Sequence, residues 1–188
     1  MATPSPATDR PAEGDRFPCP IRLAGLGLTL REWSDQDVPA MVELFDEPQV
    51  DRWTPLRAPF DVVAARAYLD TARRRRAEDR RLQLAITTDG HQPMGEILLF
   101  RTGVPGEVEL AYAIGAAHRR QGLAARAVQI IIGYAYDVLA MNQILLRIAP
   151  GNTASVAVAR STGFHLTSAP PLIREGSRDS LLTWQHRP

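Results

Sequence analysis

The six residues Arg119-Arg120-Gln121-Gly122-Leu123-Ala124 join two segments of different periodicity and carry the clearest chemical signal in the chain. The first residues of a helix hold backbone N–H groups without acceptors, at the positive end of the helix dipole, so an anion placed there is stabilised by the backbone itself. Gly122 and Ala124 leave that backbone approachable, while Arg119 and Arg120 add donors suited to phosphate oxygens. The chemistry implied is the binding of a pyrophosphate. An ordinary strand-to-helix turn with solvated arginines would use the same residue types, so the turn alone leaves both readings open. Neither a G-x-G-x-x-G fingerprint nor a GK[ST] loop is present, which argues against NAD and ATP.

The elements around the turn must aim it. Residues 107–114 alternate Val108, Leu110, Tyr112 and Ile114 with polar or small residues, the period of a half-buried strand, and place Glu107, Glu109 and Ala111 on the other face. Residues 123–139 are rich in Ala, Val and Ile over a length that only a helix accommodates. Upstream, residues 21–33 read as a strand pair or one bent strand. Ser34 or Asp35 caps a helix over residues 35–45, residues 46–60 with three prolines read as a loop, and residues 61–80 resume helical spacing. Three strands in hairpin succession lead to the basic turn. Beyond the helix come a buried strand over residues 143–150, a short helix ending near Gly163, and two short strands about the EGSRD turn at residues 175–179.

Composition bounds the rest. The 188 residues suit one domain, here residues 21–188, preceded by a Pro, Ala and charge-rich tail expected to be disordered over residues 1–20. No apolar stretch approaches membrane-spanning length and no signal peptide is evident, so the cytoplasm is expected and a membrane is not. The single cysteine, Cys19, excludes an internal disulfide, and the four histidines show no metal-ligand spacing. All 22 basic residues are arginine. The run Arg73 to Arg76 lies at a helix C-terminus, where the dipole favours cations, and with a formal net charge of +1 the chain is not expected to bind nucleic acid.

Read together, "ELAYAIGAAHRRQGLAARAV", "NTASVAVARSTGF" and "LTLREWSDQDVPAMVELFDEPQV" resemble three segments of the GNAT N-acetyltransferase superfamily, in its RimJ/RimL branch, in order and spacing over residues 21–186. The resemblance implies an α/β (α+β) GNAT fold, a mixed, mostly antiparallel sheet of about six to seven strands flanked by helices and splayed between its fourth and fifth strands. It implies acetyl-CoA as donor cosubstrate. The loop Arg119, Arg120, Gln121, Gly122, Leu123, Ala124 would hold its pyrophosphate, the strand at Ala111, Tyr112 and Ile114 its pantetheine, and Asn152 would contact it from beyond the fifth strand; Asn152 alone also reads as a helix N-cap, and the two roles can coexist.

An amine attacks a thioester only when neutral, and the departing thiolate needs a proton. The resemblance places Glu109 as general base, with Glu96 as second choice or as a substrate contact. The tyrosine many family members use as acid is absent, Ala159 standing in its place. Ser155 is then the candidate acid or sulfur contact, with Tyr112 another. Trp53 and Asp51 in the Pro-rich segment would face the acceptor, opposite residues 174–179. The expected reaction is N-acetylation of a primary amine, the α-amine of a protein or peptide, by a monomer or homodimer. A small-molecule acceptor and a non-catalytic acyl-CoA sensor are the alternatives.

Overall fold

The computed structural model describes residues 16–173 and 179–188. The expected turn at residues 175–178 and the first 15 residues of the expected tail lie outside the described residues. An eight-stranded sheet, ordered β1-β2-β3-β4-β5-β6-β8-β7, organises the chain. β1 (Arg22–Gly25) and β2 (Leu28–Glu32) form a hairpin, so the opening segment is a strand pair. A single 3-10 turn over Asp35–Asp37 then leads into α1 (Val38–Phe45), with Ser34 Oγ donating to Asp37 Oδ2 at 2.9 Å. α3 (Val62–Ala77), capped by Asp61, precedes the meander β3 (Arg81–Thr87), β4 (Gly95–Arg101) and β5 (Glu107–Ile114). α4 (Leu123–Asp137), β6 (Gln143–Ile148), α5 (Thr153–Ser161), β7 (His165–Leu166) and β8 (Leu182–His186) complete it.

Three expectations are corrected. The segment after Phe45 is not all loop, for α2 (Pro48–Trp53) forms within it. Proline is harmless at a helix's first position, where its missing N–H has no intrahelical use, and the Glu47 side chain accepts from the Gln49 and Val50 amides. Near the C-terminus the two strands are β7 and β8, while Leu172 and Leu181 make only an isolated bridge. Phe17, assigned by composition to the tail, is 4% exposed, donates its N–H to Asp79 Oδ1 at 2.8 Å and lies under the Arg101 guanidinium. An aromatic ring with so matched a backbone does not behave as tail.

Strand alternation divides the core into two layers. Leu82, Leu84, Ile97, Leu99, Val108 and Leu110 pack with α4, through Leu123, Ala127, Val128 and Ile131. The opposite face joins Ala85 to α1 and α3 through a cluster of Trp33, Phe45, Phe60 and Leu69, with three edge-to-face ring pairs centred on Phe45. The arginine run at the end of α3 is matched by acids: Arg73 pairs with Asp35, Arg75 with Glu78 and Arg76 with Glu32.

β5 and β6 are the one parallel pair in the sheet, and their register runs only from Glu107 with Gln143 to Leu110 with Leu146. β4 follows β5 to Ile114 on its other side. Residues 111–114 therefore have no strand partner on the side of β6, and the sheet opens there into a cleft.

Candidate active site

The turn after β5 forms one end of the cleft. Arg120 and Gly122 have φ of 63° and 71°, so left-handed residues alternate with ordinary ones and turn successive amides toward one concavity. Gly122 is the residue before α4, and the helix's first amides follow it without intrahelical acceptors. A Cβ built on Gly122 would meet nothing closer than Arg126 Nε at 3.9 Å, so backbone conformation and open approach, rather than crowding, call for glycine here. Arg126 braces the turn by donating to Gln121 O and Leu26 O. A cavity of about 480 Å³ runs from this turn along Tyr112, Ala113 and Ile114 to Asn152, Ser155 and Val158.

One expected role changes. The Arg119 guanidinium faces inward, donating to Ile114 O at 3.1 Å and pairing with Glu47. Since Glu47 also caps α2, Arg119 ties the turn to that helix and its side chain is already engaged. What the turn presents to the cleft is therefore its backbone, with Arg120 the exposed cation beside it.

The other end of the cleft meets two further cavities. A small one of about 140 Å³ is lined by Glu109, Tyr112, Arg147, Asn152, Ser155 and Trp53. On the α1/α3 face of the sheet a cavity of about 610 Å³ is lined by Tyr68, Arg81, Glu96, Phe100, Glu109 and Arg147. Tyr112 lines all three spaces, Ser155 and Trp53 border the 480 Å³ cavity and the small one, and Glu109 borders the small and large ones. The geometry joins the 480 Å³ cavity to the 610 Å³ one through the small cavity, a window edged by a carboxylate and two hydroxyls.

Each window residue is held by local structure. Asn152 caps α5, its Oδ1 accepting from Ser155 N at 3.1 Å, while its side chain borders the cavities; cap and lining residue coincide. Tyr112 donates its hydroxyl to Ser155 O at 3.4 Å, and burial pushes that phenol up to about 12. Arg147 Nε lies 3.8 Å from Glu109 Oε2 and holds the carboxylate over the window. Trp53 carries the Arg52 guanidinium on its ring at 4.4 Å, and Arg52 reaches Asp179 at 2.6 Å, so α2 is strapped across the small cavity. Asp51 sits apart from the three cavities, beside Arg57 and the Ala58 amide. Of the expected opposite wall, residues 174–178 lie outside the described residues and Asp179 takes part in the strap.

Glu96 lies on the floor of the larger cavity, 3% exposed, accepting from Tyr68 Oη at 2.8 Å and Gln83 Nε2 at 2.9 Å. Burial outweighs these bonds and raises its carboxyl from 4.5 to about 7. An acid raised on folding stabilises fully below its unfolded value and loses that contribution as pH rises through the folded one. From pH 4.5 to 8 the penalty reaches about 3 kcal/mol. Glu96→Gln removes it, and the unpartnered Gln83 Oε1 can receive the new amide after rotation. Denaturant midpoints should therefore fall more steeply with rising pH in the parent than in Glu96→Gln; parallel profiles would refute the buried charge.

Sequence reasoning missed Arg147, Arg81, Tyr68 and the Arg52 strap. Arg147 had a signal, as the sole charged residue in an apolar strand; Tyr68 and Arg52 had none.

Residues 27–165 match the family described as the acetyltransferase (GNAT) domain. The chain belongs to the GNAT acetyltransferases. It is similar to the uncharacterized N-acetyltransferase p20 of Bacillus licheniformis, 26% identical over 141 residues, covering 73% of this chain and 78% of that protein. Its fold is similar to Mycobacterium smegmatis RimJ in complex with CoA-disulfide, TM-score 0.75 and 19% identity, covering 89% of this chain and 86% of that one. It is also similar to the ribosomal-protein-S5-alanine acetyltransferase of Vibrio fischeri, TM-score 0.73 and 15% identity, covering 89% and 96%. This GNAT protein is an acetyltransferase by family, and its splayed sheet is that of the fold. Among the described residues no helix is long and apolar enough to cross a membrane, and no group of three or more His, Cys, Asp or Glu is arranged to hold a metal ion.

Proposed function

We propose that this GNAT protein transfers the acetyl group of acetyl-CoA to a primary amine, the α-amino group of a protein or peptide, by direct attack in a ternary complex. The observation that carries the reading is that the 480 Å³ cavity, the donor channel, and the 610 Å³ cavity, the acceptor cavity, meet through the small cavity that Glu109, Tyr112 and Ser155 line together. Acetyl-CoA lies with its pyrophosphate on the backbone amides of residues 121–124 and its pantetheine along the unpaired edge of residues 111–114. Its thioester then reaches the window.

There the amine, having passed its ammonium proton to Glu109 directly or through water, attacks the thioester carbonyl. A C–N bond forms and the C–S bond breaks; the thiolate takes a proton from the Ser155 hydroxyl, which is restored by the second proton that the acylated nitrogen releases, with Tyr112 alongside as a second donor. The acceptor's acidity limits what so small an apparatus can do. An α-amine with a pKa of about 7.7–8.0 is roughly a tenth neutral at pH 7, a lysine below about a thousandth. The reading therefore favours α-amines. Calorimetric titration with acetyl-CoA, ATP and NADH, followed by a panel of peptides with free or blocked N-termini, tests it. Binding confined to CoA esters and acetylation confined to free N-termini are expected; transfer to lysine side chains or small amines alone would overturn the acceptor assignment.

A further inference from the structure

Three arginines line the 610 Å³ acceptor cavity, and they differ in how they are matched. Arg101 pairs with Asp79 at 2.9 Å, and Arg147 with Glu109. Arg81 makes no ion pair among the described residues, and its Nε and Nη2 are buried without a hydrogen-bond partner. Its guanidinium lies near two rings, 6.0 Å from the centroid of Tyr68 and 5.7 Å from that of Phe100. The rings fix the cation without satisfying its donors. Both oxygens of Glu96, the carboxylate on the same floor, are engaged by Tyr68 and Gln83. Arg81 is partly buried and its charge reaches the Glu96 carboxyl, but with both Glu96 oxygens engaged its Nε and Nη2 still lack an acceptor, and the group that would satisfy them is an anion entering the cavity.

Sheet register places Arg81 relative to the reacting centre. Arg81 pairs with Phe100, and Phe100 with Glu109, so the three lie in one row across adjacent strands, on the face that lines the cavity. Two inter-strand spacings put Arg81 and Glu109 about 10 Å apart at Cα. An extended peptide advances about 3.3–3.6 Å per residue, so an acceptor whose amine is at Glu109 brings its second or third residue toward Arg81.

Resting on the transfer reading above, we propose that Arg81 is an acceptor-recognition residue that pairs with a carboxylate carried by the amine substrate, about a dipeptide's length from the reacting nitrogen. The carboxylate comes either from an acidic side chain at the second or third position of a peptide or from the free C-terminus of a short one. A bidentate pair beside two rings discriminates by charge and shape together, which a lysine in its place would do less well.

The test compares C-terminally amidated hexapeptides differing only in Asp or Asn at positions two and three, and a free with an amidated dipeptide. Each is measured for kcat/KM and, by calorimetry with CoA present, for affinity. The parent should favour a carboxylate by roughly ten- to hundred-fold, in the hexapeptide pair if the source is a side chain and in the dipeptide pair if it is a C-terminus. In Arg81→Gln that ratio should fall to about one, with Arg81→Lys restoring part of it. Because Arg81 also acts on the Glu96 carboxyl, the thermal midpoint of Arg81→Gln is read at pH 5, where Glu96 is protonated, and should not drop there. No preference in the parent, or the same preference in Arg81→Gln, overturns the assignment, whether or not acetylation occurs. An Arg81-dependent preference in binding without turnover of any peptide upholds the recognition site and overturns the transfer reading instead.

Discussion

Glu109→Gln is expected to lower kcat/KM by about 10²–10⁴-fold while leaving acetyl-CoA affinity within about three-fold, the separation a general base produces when it handles only the acceptor's proton. Shape is preserved by the substitution and the donor channel is untouched, since Glu109 borders the small and large cavities and not the channel. Arg147 loses its carboxylate partner, 3.8 Å away, so a thermal midpoint must accompany the kinetics. The diagnostic lies in pH. Without a base the amine must reach the site already neutral, so the variant's rate on an α-amine should rise about ten-fold per pH unit up to roughly 7.7–8.0 and then level. The parent should be flatter over the same range. A variant within a few-fold of the parent would remove Glu109 from the proton path and pass the role to Glu96, which lies in the same cavity with a carboxyl already raised to about 7.

How far the sequence reached depended on whether the decisive interaction was local. β5 and α4 are legible because alternation gives way to helical spacing at one glycine, and the left-handed φ at Gly122 is what a glycine before a helix usually means. The strand register that opens the cleft was implied by resemblance alone, because nothing in residues 111–114 or 147–148 says that pairing stops at Leu110. α2 escaped because three prolines suggest interruption, whereas Pro48 starts the helix and Glu47 caps it. Arg119 was read as a phosphate donor because its partner Glu47 is 72 residues distant. Arg81 opens β3, one residue before the strand that the sequence suggests from Leu82, and alternation along β3 puts Arg81 and Gln83 on the face opposite Leu82 and Leu84. What that periodicity could not show is that Tyr68 and Phe100 would lie near it and leave its donors idle.

The second large effect separates the backbone's contribution to donor binding from that of the arginines. Ala124 is the second residue of α4, where a carboxylate favours the helix by about 0.3–1 kcal/mol and should raise the thermal midpoint of the ligand-free protein by about 1–3 °C. The same carboxylate in Ala124→Asp would stand roughly 5 Å from the pyrophosphate, where each like-charge pair costs about 3 kcal/mol at an effective dielectric near 20. The Kd for acetyl-CoA should then rise about 10²–10³-fold, and by less at high ionic strength. Ala124→Asn, matched in size and uncharged, should raise it by no more than about five-fold. A protein more stable when empty and far weaker toward its donor cannot be explained by misfolding. Equal Kd values for the Asp and Asn variants would mean that no anion sits at the start of α4, and the donor pose would have to be rebuilt around Arg120. With Arg119 already committed to Glu47 and Ile114 O, the helix amides and the exposed Arg120 are what remains to hold the negative charge, and the charge at residue 124 is the direct way to ask whether the amides do.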